Sequence, residues 1–416
     1  AFRHAFATRA SAGALRFMAL LSHRLGRVGE AVKLYERLLS TCQPTSKEIP
    51  LALQGLAAAL RDAGRPIDAD HHMRHLTERF SREPRSIASG LAQRNNSEDF
   101  HEWSPLADKS RLAAALTARK AVDPRGRFPE SFVLPADRTA LETFAAGPDA
   151  PALYIVKPIR SSGGQGISVT ADLTAVLGRD DVVVQRYIDR PYLIDGRKGH
   201  CRIYGLITSA DPLRAYVYSE GIVRIAPELY DPSPDRAGGP SMHITNTALH
   251  LDHPDLLISQ DPAQEDTGAI RSLSALLRRM TADGLDGATA FAEIKALMEW
   301  FVRLLAGEGL FARQAASAPP RAFPPKLFGL DVLIDAKGHP WLIEMQRTPA
   351  ARGAPLVDRI NGDMFVTNFS MAHAPLIDDT TPPELMAALR ADDAARRRRE
   401  AEIEHANRGK FVPLDL

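Results

Sequence analysis

The sequence from Leu327 to Pro349 reads LFGLDVLIDAKGHPWLIEMQRTP. Two apolar runs flank the polar segment Asp335–Gly338, and each run is long enough to form a strand. Apolar runs joined by a short segment that contains glycine are typical of a β-hairpin. We therefore predict an antiparallel hairpin whose turn is centred between residues 336 and 337.

Three oxygen-bearing side chains interrupt this apolar pattern: Asp331 in the first run, and Glu344 and Gln346 in the second. Successive side chains point to opposite faces of a strand, so Glu344 and Gln346 share a face. The predicted turn places Asp331 opposite Leu342, on that same face. The three polar side chains are therefore predicted to converge.

Burying two carboxylates and an amide is costly unless a cation is bound. Hard oxygen ligands suit Mg²⁺, which proteins usually share with the phosphates of a substrate. Asp331, Glu344 and Gln346 are thus candidate ligands for Mg²⁺. A half-solvated edge hairpin would show the same pattern, and the hairpin alone does not choose between the two interpretations.

A second group of residues has the chemistry of a phosphate-binding site. The predicted strand Tyr154–Pro158 ends on Lys157, whose ammonium group is a point charge for phosphates. In the loop that follows, glycines allow backbone N–H groups to approach phosphate oxygens. The candidate loop residues are Gly163, Gly164, Gln165 and Gly166. An ordinary hairpin turn would also contain such glycines, and the loop lacks the ending of a Walker motif.

The apolar run Val182–Ile188 predicts a buried strand whose end could line an adenine site. Cations recur on the next predicted strands, which is unusual for strands that bury one face: Lys198, Arg202, Arg214 and Arg224. We interpret them as partners of visiting anions, except Arg214, which we expect to be structural.

Composition limits the class of function. The chain has 416 residues, 44% hydrophobic and 25% charged, which suits a globular protein of two or three domains. A net charge of +1 predicts no nucleic-acid or membrane partner. The two cysteines, Cys42 and Cys201, imply no disulfide framework and fit a reducing, cytoplasmic compartment.

Residues 1–90 show apolar residues at helical spacing. Gly26-Arg27 recurs as Gly64-Arg65, which resembles the tetratricopeptide (TPR) type of helical hairpin and suggests partner binding. Plain helical packing explains the pattern equally well. The basic start resembles a transit peptide, but the continuous periodicity favours a basic helix.

Other segments complete the outline of the chain. Arg82–Asp99 is a predicted linker, Ala226–Gly239 a mobile loop, and Pro254–Ala306 a mostly helical region. A basic helix is predicted over Pro383–His405, either solvated or docked on an acidic polymer.

Taken in order, the motifs resemble the tubulin tyrosine ligase-like family of ATP-grasp ligases. The resemblance extends over residues 100–375 and rests on Lys157-Pro158, Gly163–Gly166, Gln185–Ile188, Asp195–Lys198, Arg202–Tyr204, Asp211–Tyr216, Gly221–Arg224, His243–Asn246, Phe328–Asp331 and Trp341–Glu344. It implies an α+β protein with the ATP-grasp fold, in which two lobes with antiparallel sheets hold ATP. The implied divisions are a helical TPR-like segment (1–90), an N-terminal ligase lobe (100–150), the ATP-grasp lobes (151–375) and a basic tail (380–416).

The same resemblance implies a role for each candidate residue. Contacts to ATP are implied for Lys157, Gly163, Gly164, Gln165, Gly166, Gln185, Arg186, Tyr187, Ile188, Lys198, His200 and Thr245. The acyl phosphate and the incoming amino acid would face Arg202, Arg224, His243 and Asn246. Asp331, Glu344 and Gln346 would bind Mg²⁺.

The implied activity is ATP-dependent attachment of an amino acid, most often glutamate, to a protein carboxylate through an acyl phosphate. The implied partners are a free amino acid and an acidic protein tail, that of tubulin foremost, in the cytoplasm at the cytoskeleton or cilium. His200 stands where the family usually has Asp, and Gln346 where it usually has Asn. These departures keep open the alternative of a degenerate relative that binds nucleotide and an acidic tail without catalysis.

Overall fold

The computed structural model describes residues 26–41, 104–118, 126–161, 163–307, 326–347, 354–373 and 382–416, with single positions between 15 and 63. The strands are β1 Ser131–Val133, β2 Tyr154–Pro158, β3 Ser168–Thr170, β4 Val182–Arg186, β5 Leu193–Ile194, β6 Arg197–Ala210, β7 Leu213–Ile225, β8 Ile270–Ser272, β9 Lys326–Ile334, β10 Pro340–Gln346 and β11 Phe411–Pro413.

The α-helices are α1 Val28–Thr41, α2 Ser104–Ala107, α3 Lys109–Ala118, α4 Arg138–Ala145, α5 Thr174–Leu177, α6 Pro240–His243, α7 Leu273–Ala282, α8 Gly287–Gly307, α9 Pro355–His373, α10 Pro383–Ala391 and α11 Asp393–Asn407. Short 3₁₀ turns occupy Pro234–Arg236 and Thr247–Leu249. Helices and antiparallel sheets are mixed in this way, which confirms the predicted α+β class.

A four-stranded antiparallel sheet, in the order β1-β4-β2-β3, forms the smaller lobe. Strand β4 lies between two neighbours, and its valines Val182, Val183 and Val184 are all buried. An inner strand that is covered on both faces has a continuous run of apolar residues, and the sequence shows such a run at β4. Leu141 of α4 and Val176 of α5 pack in the core of this lobe.

The larger sheet is also antiparallel, in the order β10-β9-β6-β7-β11, with β5 beside β6 and β8 beside β7. One face of this sheet packs on α7 and α8, through a core that includes Ile203, Val217, Val332, Leu276 and Phe301. The opposite face carries Tyr204, Leu206 and Tyr218, in one core with Ile360 and Phe365 of α9. Side chains that alternate along β6 therefore enter two different cores.

The hairpin of β9 and β10 exists, but its predicted register was wrong. Leu342 pairs with Val332 and Glu344 pairs with Asp331, because a β-bulge at Ile343 adds one residue to β10. Leu342 is buried in the core with α8, whereas Glu344 lies on the other face beside Asp331. After the bulge, the side chains of β10 point to the opposite face from the one that simple alternation gives. The two carboxylates therefore share a face, as predicted, but because of the bulge and not because of the predicted register.

Other local predictions were also wrong in part. Residues 254–269 are not helical, and β8 follows them. The predicted mobile loop Ala226–Gly239 contains a 3₁₀ turn, and its Ala237 is buried with Tyr187. The tail forms two helices that meet at Asp392, followed by β11 at the edge of the larger sheet.

Helix α1 buries Ala31, Tyr35 and Leu38, and the Tyr35 ring occupies the space where a Cβ at Gly55 would lie. This contact joins two helical stretches, but most of residues 1–90 and the predicted linker lie outside the described residues. The TPR-like repeat therefore stays a prediction. Among the described helices, none combines the length and the apolar character needed to cross a lipid bilayer.

Candidate active site

One face of β6 changes from polar to apolar halfway along the strand. Lys198, His200 and Arg202 occupy its first half, and Tyr204 and Leu206 continue the same face into the core under α9. All three polar residues are buried. Since buried cations are rare without partners, this half of the strand is the first sign of a binding site.

Cross-strand neighbours extend this polar patch. Arg202 pairs with Asp331 on β9, and Asp331 pairs with Glu344 on β10. Directly opposed residues share a face, so the three charged groups form a row across the sheet. A Cβ at Gly329 would lie 2.7 Å from Arg202 Cδ, so glycine at this position makes room for the arginine side chain to reach Asp331.

Arg202 and Asp331 form a buried, bidentate ion pair. Arg202 Nε donates to Asp331 Oδ1 at 2.5 Å, and Nη2 donates to Oδ2 at 3.1 Å. Burial alone would raise the pKa of the Asp331 carboxyl, but the charges of Arg202 and the other nearby cations outweigh it and lower the pKa to about 2. Asp331 is therefore ionised at neutral pH.

Glu344 lies in a different electrostatic environment. Burial and the charge of Asp331 raise the pKa of its carboxyl, against the opposite effect of Lys157 and Lys109. The nearest ammonium nitrogen is Lys109 Nζ, 3.9 Å from Glu344 Oε1. Gln346 completes the group, with its Nε2 3.4 Å from Asp331 Oδ2. The structure thus brings together the three side chains predicted as metal ligands.

The smaller sheet contributes Lys157 and Gln185 to the same space. Lys157 Nζ donates to Gln185 Oε1 at 2.8 Å and to the carbonyl of Ile343 at 3.1 Å. Ile343 is the bulge residue of β10. The bulge therefore both turns the Glu344 side chain to the face of Asp331 and supplies a carbonyl acceptor for Lys157. Burial lowers the pKa of Lys157 to about 8.

Lys198 and His243 lie on either side of Tyr187. Lys198 Nζ donates to the Tyr187 hydroxyl at 2.9 Å, and that hydroxyl lies 2.9 Å from His243 Nδ1. Burial, reinforced by the charge of Lys157, lowers the pKa of Lys198 to about 7. Burial likewise lowers the pKa of His243, whose side chain is only 2% exposed.

His200 and Thr245 are in contact, with 2.5 Å between His200 Nδ1 and Thr245 Oγ1. Burial lowers the pKa of His200 to about 4, so its ring is neutral although Asp331 Oδ1 is 3.8 Å away. Arg224 stands opposite His200 on β7. Burial and the charge of Arg202 lower the pKa of Arg224, whose guanidinium makes no hydrogen bond within the part of the chain that the structure describes.

The glycine loop forms the β2–β3 turn, where Gly163, Gly164 and Gly166 all have positive φ. A Cβ at Gly164 would lie 2.6 Å from Leu249 Cδ1, so the loop closes tightly against the segment that follows Asn246. Glycine is needed here both for backbone conformation and for space. Gln165 is exposed at the tip of the loop.

Two predicted side chains are used elsewhere. Arg186 donates to Glu130 and to the carbonyl of Asp149, both at 2.6 Å, so its guanidinium points away from Lys157. The Asn246 side chain accepts from Ala248 N at 3.1 Å and caps a 3₁₀ turn. Ile188 follows β4 and is half-buried, with its backbone beyond the paired part of the strand.

Sequence reasoning missed Lys109 and Ser131. Lys109, at the start of α3, donates to the carbonyl of Ser161 at 2.5 Å and faces Glu344. Ser131 accepts from Gln185 Nε2 at 2.7 Å and so orients the amide that holds Lys157. Neither residue stands in a recognisable motif. The cap Asp108-x-Ser110 marks the helix start but gives no sign of what Lys109 reaches.

The residues fit Mg²⁺ and a polyphosphate together better than either alone. Among the described residues, no group of three or more His, Cys, Asp and Glu side chains could hold a metal ion. Two carboxylates and one amide oxygen leave coordination positions that phosphate oxygens would fill. Burial lowers the pKa values of Lys157 and Lys198, and an incoming anion would stabilise their charged forms.

Comparison with known proteins adds a second line of argument. A sequence model described as the Tubulin-tyrosine ligase family matches residues 90–382. The chain is 32% identical over 253 residues to "Probable beta-tubulin polyglutamylase" of Tetrahymena thermophila, a match that covers 59% of this chain and 21% of that protein. It is 33% identical over 246 residues to human "Tubulin polyglutamylase TTLL5", covering 59% and 19%.

A further relative is "Tubulin polyglutamylase ttll-5" of Caenorhabditis elegans, 30% identical over 315 residues, which are 71% of this chain and 43% of that protein. The chain spans less than half the length of these three relatives. The family match extends over most of the chain and contains every residue of the candidate site. This chain therefore belongs to the tubulin-tyrosine ligase family.

Proposed function

We propose that this chain is an ATP-dependent, Mg²⁺-dependent ligase with an ATP-grasp fold, which attaches glutamate to a carboxylate of an acidic protein tail, that of tubulin foremost. The observation that carries the proposal is the meeting of two sheets at one polar site. Lys157 of β2 donates to the bulge of β10, next to the carboxylates of Glu344 and Asp331. The names of the relatives supply the amino acid and the acceptor.

When bound, ATP would supply the phosphoryl group that turns a carboxylate, a poor electrophile, into an acyl phosphate with release of ADP, and Mg²⁺ would neutralise charge on the phosphates. In this proposal Asp331, Glu344 and Gln346 hold the metal, and Lys157 and Lys198 hold phosphates. Arg202 remains fixed on Asp331, and Arg224 keeps its guanidinium available for a substrate carboxylate or the acyl phosphate. Positioning and charge carry the reaction, so no nucleophilic side chain is required.

A second candidate is a non-catalytic relative that binds nucleotide and an acidic tail. It is favoured by His200, which stands where the family usually has Asp: its ring is buried and its pKa is lowered to about 4, so it brings neither a negative nor a positive charge to a metal or a phosphate at neutral pH.

The test measures incorporation of labelled glutamate, glycine and tyrosine into tubulin, with and without ATP and Mg²⁺. We expect glutamate incorporation that requires both, and its loss in Glu344→Gln. Glu142→Gln, the same chemical change on the exposed surface of α4, is the matched control. Retained binding to the tail with no incorporation of any of the three amino acids would support the non-catalytic candidate. An active Glu344→Gln would contradict the metal assignment. A ligase of this type is expected in the cytoplasm, at the cytoskeleton or cilium.

A further inference from the structure

His243 stands in a motif, yet the structure buries it almost completely. The residue is 2% exposed, and both ring nitrogens have partners. The edges of Tyr187 and Tyr230 also meet the ring, with centroids 5.5 and 5.9 Å away and near-perpendicular planes. A group enclosed in this way can act on a substrate only through another residue.

The donor and the acceptor can be assigned in each hydrogen bond around His243. Its Nε2 lies 3.2 Å from the carbonyl oxygen of Arg236, which can only accept, so Nε2 carries the proton. Burial lowers the pKa of the ring, so the imidazole is neutral and Nδ1 must accept. The Tyr187 hydroxyl therefore donates to Nδ1, and its oxygen is left to accept from Lys198 Nζ.

The first member of this chain, Lys198, needs such support. It is 5% exposed, and no carboxylate contacts its ammonium group among the described residues. The ammonium nitrogen lies 4.0 Å from the centroid of the Tyr187 ring as well as beside its hydroxyl. Tyr187 thus provides both a cation–π contact and an oriented acceptor for a buried cation that has no counter-ion.

The last member of the chain is anchored to the same strand as the first. Arg236 belongs to the loop 226–239, and this loop is tied once to β6 and once to Gly196, the residue just before β6. Ala226 N donates to the Lys198 carbonyl, and Tyr230 N donates to the Gly196 carbonyl, both at 2.9 Å. Lys198 is therefore held at its side chain, through Tyr187 and His243, and at its backbone carbonyl, through Ala226 of the same loop.

We propose that Tyr187 and His243 are positioning residues that hold the Lys198 ammonium in place for an incoming polyphosphate. They do so through a chain of hydrogen bonds in which each member donates to the next: Lys198, Tyr187, His243 and the Arg236 carbonyl. His243 exchanges no proton with a substrate. The choice of polyphosphate rests on the proposed function, whereas the chain itself rests on the contacts above. The assignment differs from the catalytic role that the family resemblance implies for His243.

The first experiment separates positioning from proton transfer. Tyr187→Phe keeps the ring and removes the hydroxyl, and His243→Phe removes the acceptor. Each is expected to raise the KM for ATP about tenfold, with a smaller change in kcat, because Tyr187→Phe removes the acceptor of the Lys198 ammonium and His243→Phe removes the group that orients this acceptor. The double variant should be no worse than either single variant, since all three break one chain. Tyr192→Phe, which loses a hydroxyl bonded to Asp283 outside the site, is the matched control.

His243→Asn gives the sharpest contrast. Its amide oxygen can occupy the place of Nδ1 and accept from Tyr187, but it cannot titrate. We expect it to recover most of the loss seen in His243→Phe. If His243→Asn is as impaired as His243→Phe and the loss is in kcat, His243 is a catalytic acid or base and the proposal is overturned. Additive losses in the double variant would overturn it as well.

A second measurement does not depend on ligase activity. Fluorodinitrobenzene reacts with the uncharged amine and releases fluoride, so its labelling rate at Lys198, followed by mass spectrometry of the peptide, reports how strongly the contacts with Tyr187 favour the ammonium form. We expect the rate to rise at least about threefold in Tyr187→Phe and in His243→Phe, but not in Tyr192→Phe. Unchanged rates in Tyr187→Phe would overturn the proposal even if the protein ligates glutamate. Raised rates without any ligation would refute the proposed function and leave the chain standing.

Discussion

Asp331 and Glu344 face each other on neighbouring strands, yet their carboxyl groups have opposite pKa shifts. The guanidinium of Arg202 and other nearby cations hold the pKa of Asp331 at about 2, whereas burial and the charge of Asp331 raise the pKa of Glu344. The ion pair therefore makes Asp331 part of the folded framework. The surroundings of Glu344 disfavour its charged form, and a bound cation would favour that form.

We expect Asp331→Asn and Glu344→Gln to have different effects on stability. Asp331→Asn leaves the Arg202 cation buried without its partner, so it should lower the free energy of unfolding by about 3 kcal/mol. Glu344→Gln removes a disfavoured charge and should change it by less than about 1 kcal/mol. Urea unfolding of both variants makes the comparison. Equal losses would show that the Arg202 pair does not stabilise the fold.

Lys157 and Lys198 predict a pH dependence. Their pKa values in the folded chain, about 8 and about 7, lie below the ordinary value of 10.5. Without ligand, the unfolded chain holds more protons than the folded chain between about pH 7 and pH 10.5, so stability rises with pH across that window.

Polyphosphate binding should reverse this shift, because an anion favours the charged lysines. Binding of Mg·ATP at pH 8 is therefore expected to take up protons, and at pH 6 it should take up far fewer, because both lysines are already charged. Calorimetric titration in two buffers of different ionisation enthalpy measures this uptake. Lys198→Met should reduce the uptake at pH 8, and a binding enthalpy that is independent of the buffer would contradict the prediction.

Helix α11 contains the run Arg396–Arg399, yet an acidic residue fastens it to the sheet. Glu404 accepts from both Nε and Nη2 of Arg214, at 3.1 and 2.9 Å, and from the hydroxyls of Thr208 and Tyr216. The sequence predicted a structural role for Arg214, and the structure identifies its partner. After α11, strand β11 pairs with β7, so the tail covers an edge of the larger sheet.

We expect Glu404→Ala to lower the free energy of unfolding by about 3 kcal/mol, because it leaves the part-buried Arg214 guanidinium unpaired. Arg397→Ala on the same helix should cost less than about 1 kcal/mol, since both its 3.2 Å hydrogen bond to the Asp211 carbonyl and its 3.9 Å contact with the Asp211 carboxylate are exposed to solvent. Chemical denaturation of the two variants tests this difference. A Glu404→Ala protein as stable as Arg397→Ala would mean that α11 is held by its apolar contacts alone.

At the scale of the whole molecule, side chains and loops of the described residues link the two sheets at the site. Lys157 reaches the bulge of β10, Lys109 bridges the glycine loop and Glu344, and loop 226–239 packs on both β6 and Tyr187. A polyphosphate held by Lys157 and Lys198 would add links between the sheets. Ligand binding is therefore expected to stabilise the molecule as a unit.

At about 100 times its Kd, Mg·ATP should stabilise the folded chain by about 2.7 kcal/mol, which appears as a higher Tm. AMP, which lacks the outer phosphates, should raise the Tm less at the same concentration. Thermal unfolding of the full chain, with Lys157→Met as the variant that loses the effect, measures both. Equal shifts with AMP and Mg·ATP would place the binding energy in the base and not in the phosphates.

The sequence predicted correctly those features that depend only on residues close together in the chain. The apolar run of β4, the hairpin of β9 and β10, and the glycine loop follow from burial, alternation and backbone freedom, and the structure contains all three. The site residues were named by their chemistry and by family resemblance. The bulge at Ile343 could not be foreseen, because one inserted residue leaves no compositional trace.

By itself, the sequence determined the α+β class, the strands β2, β4, β9 and β10, and most of the charged residues at the site except Lys109, because strand periodicity and residue chemistry can be read directly from the residues. Only the tertiary structure decided which partner each charge has. It paired Arg202 with Asp331, turned Arg186 away and enclosed His243 behind Tyr187. Such partners are separated by 56 to 129 positions in the chain, and register, bulges and packing bring them within hydrogen-bonding distance.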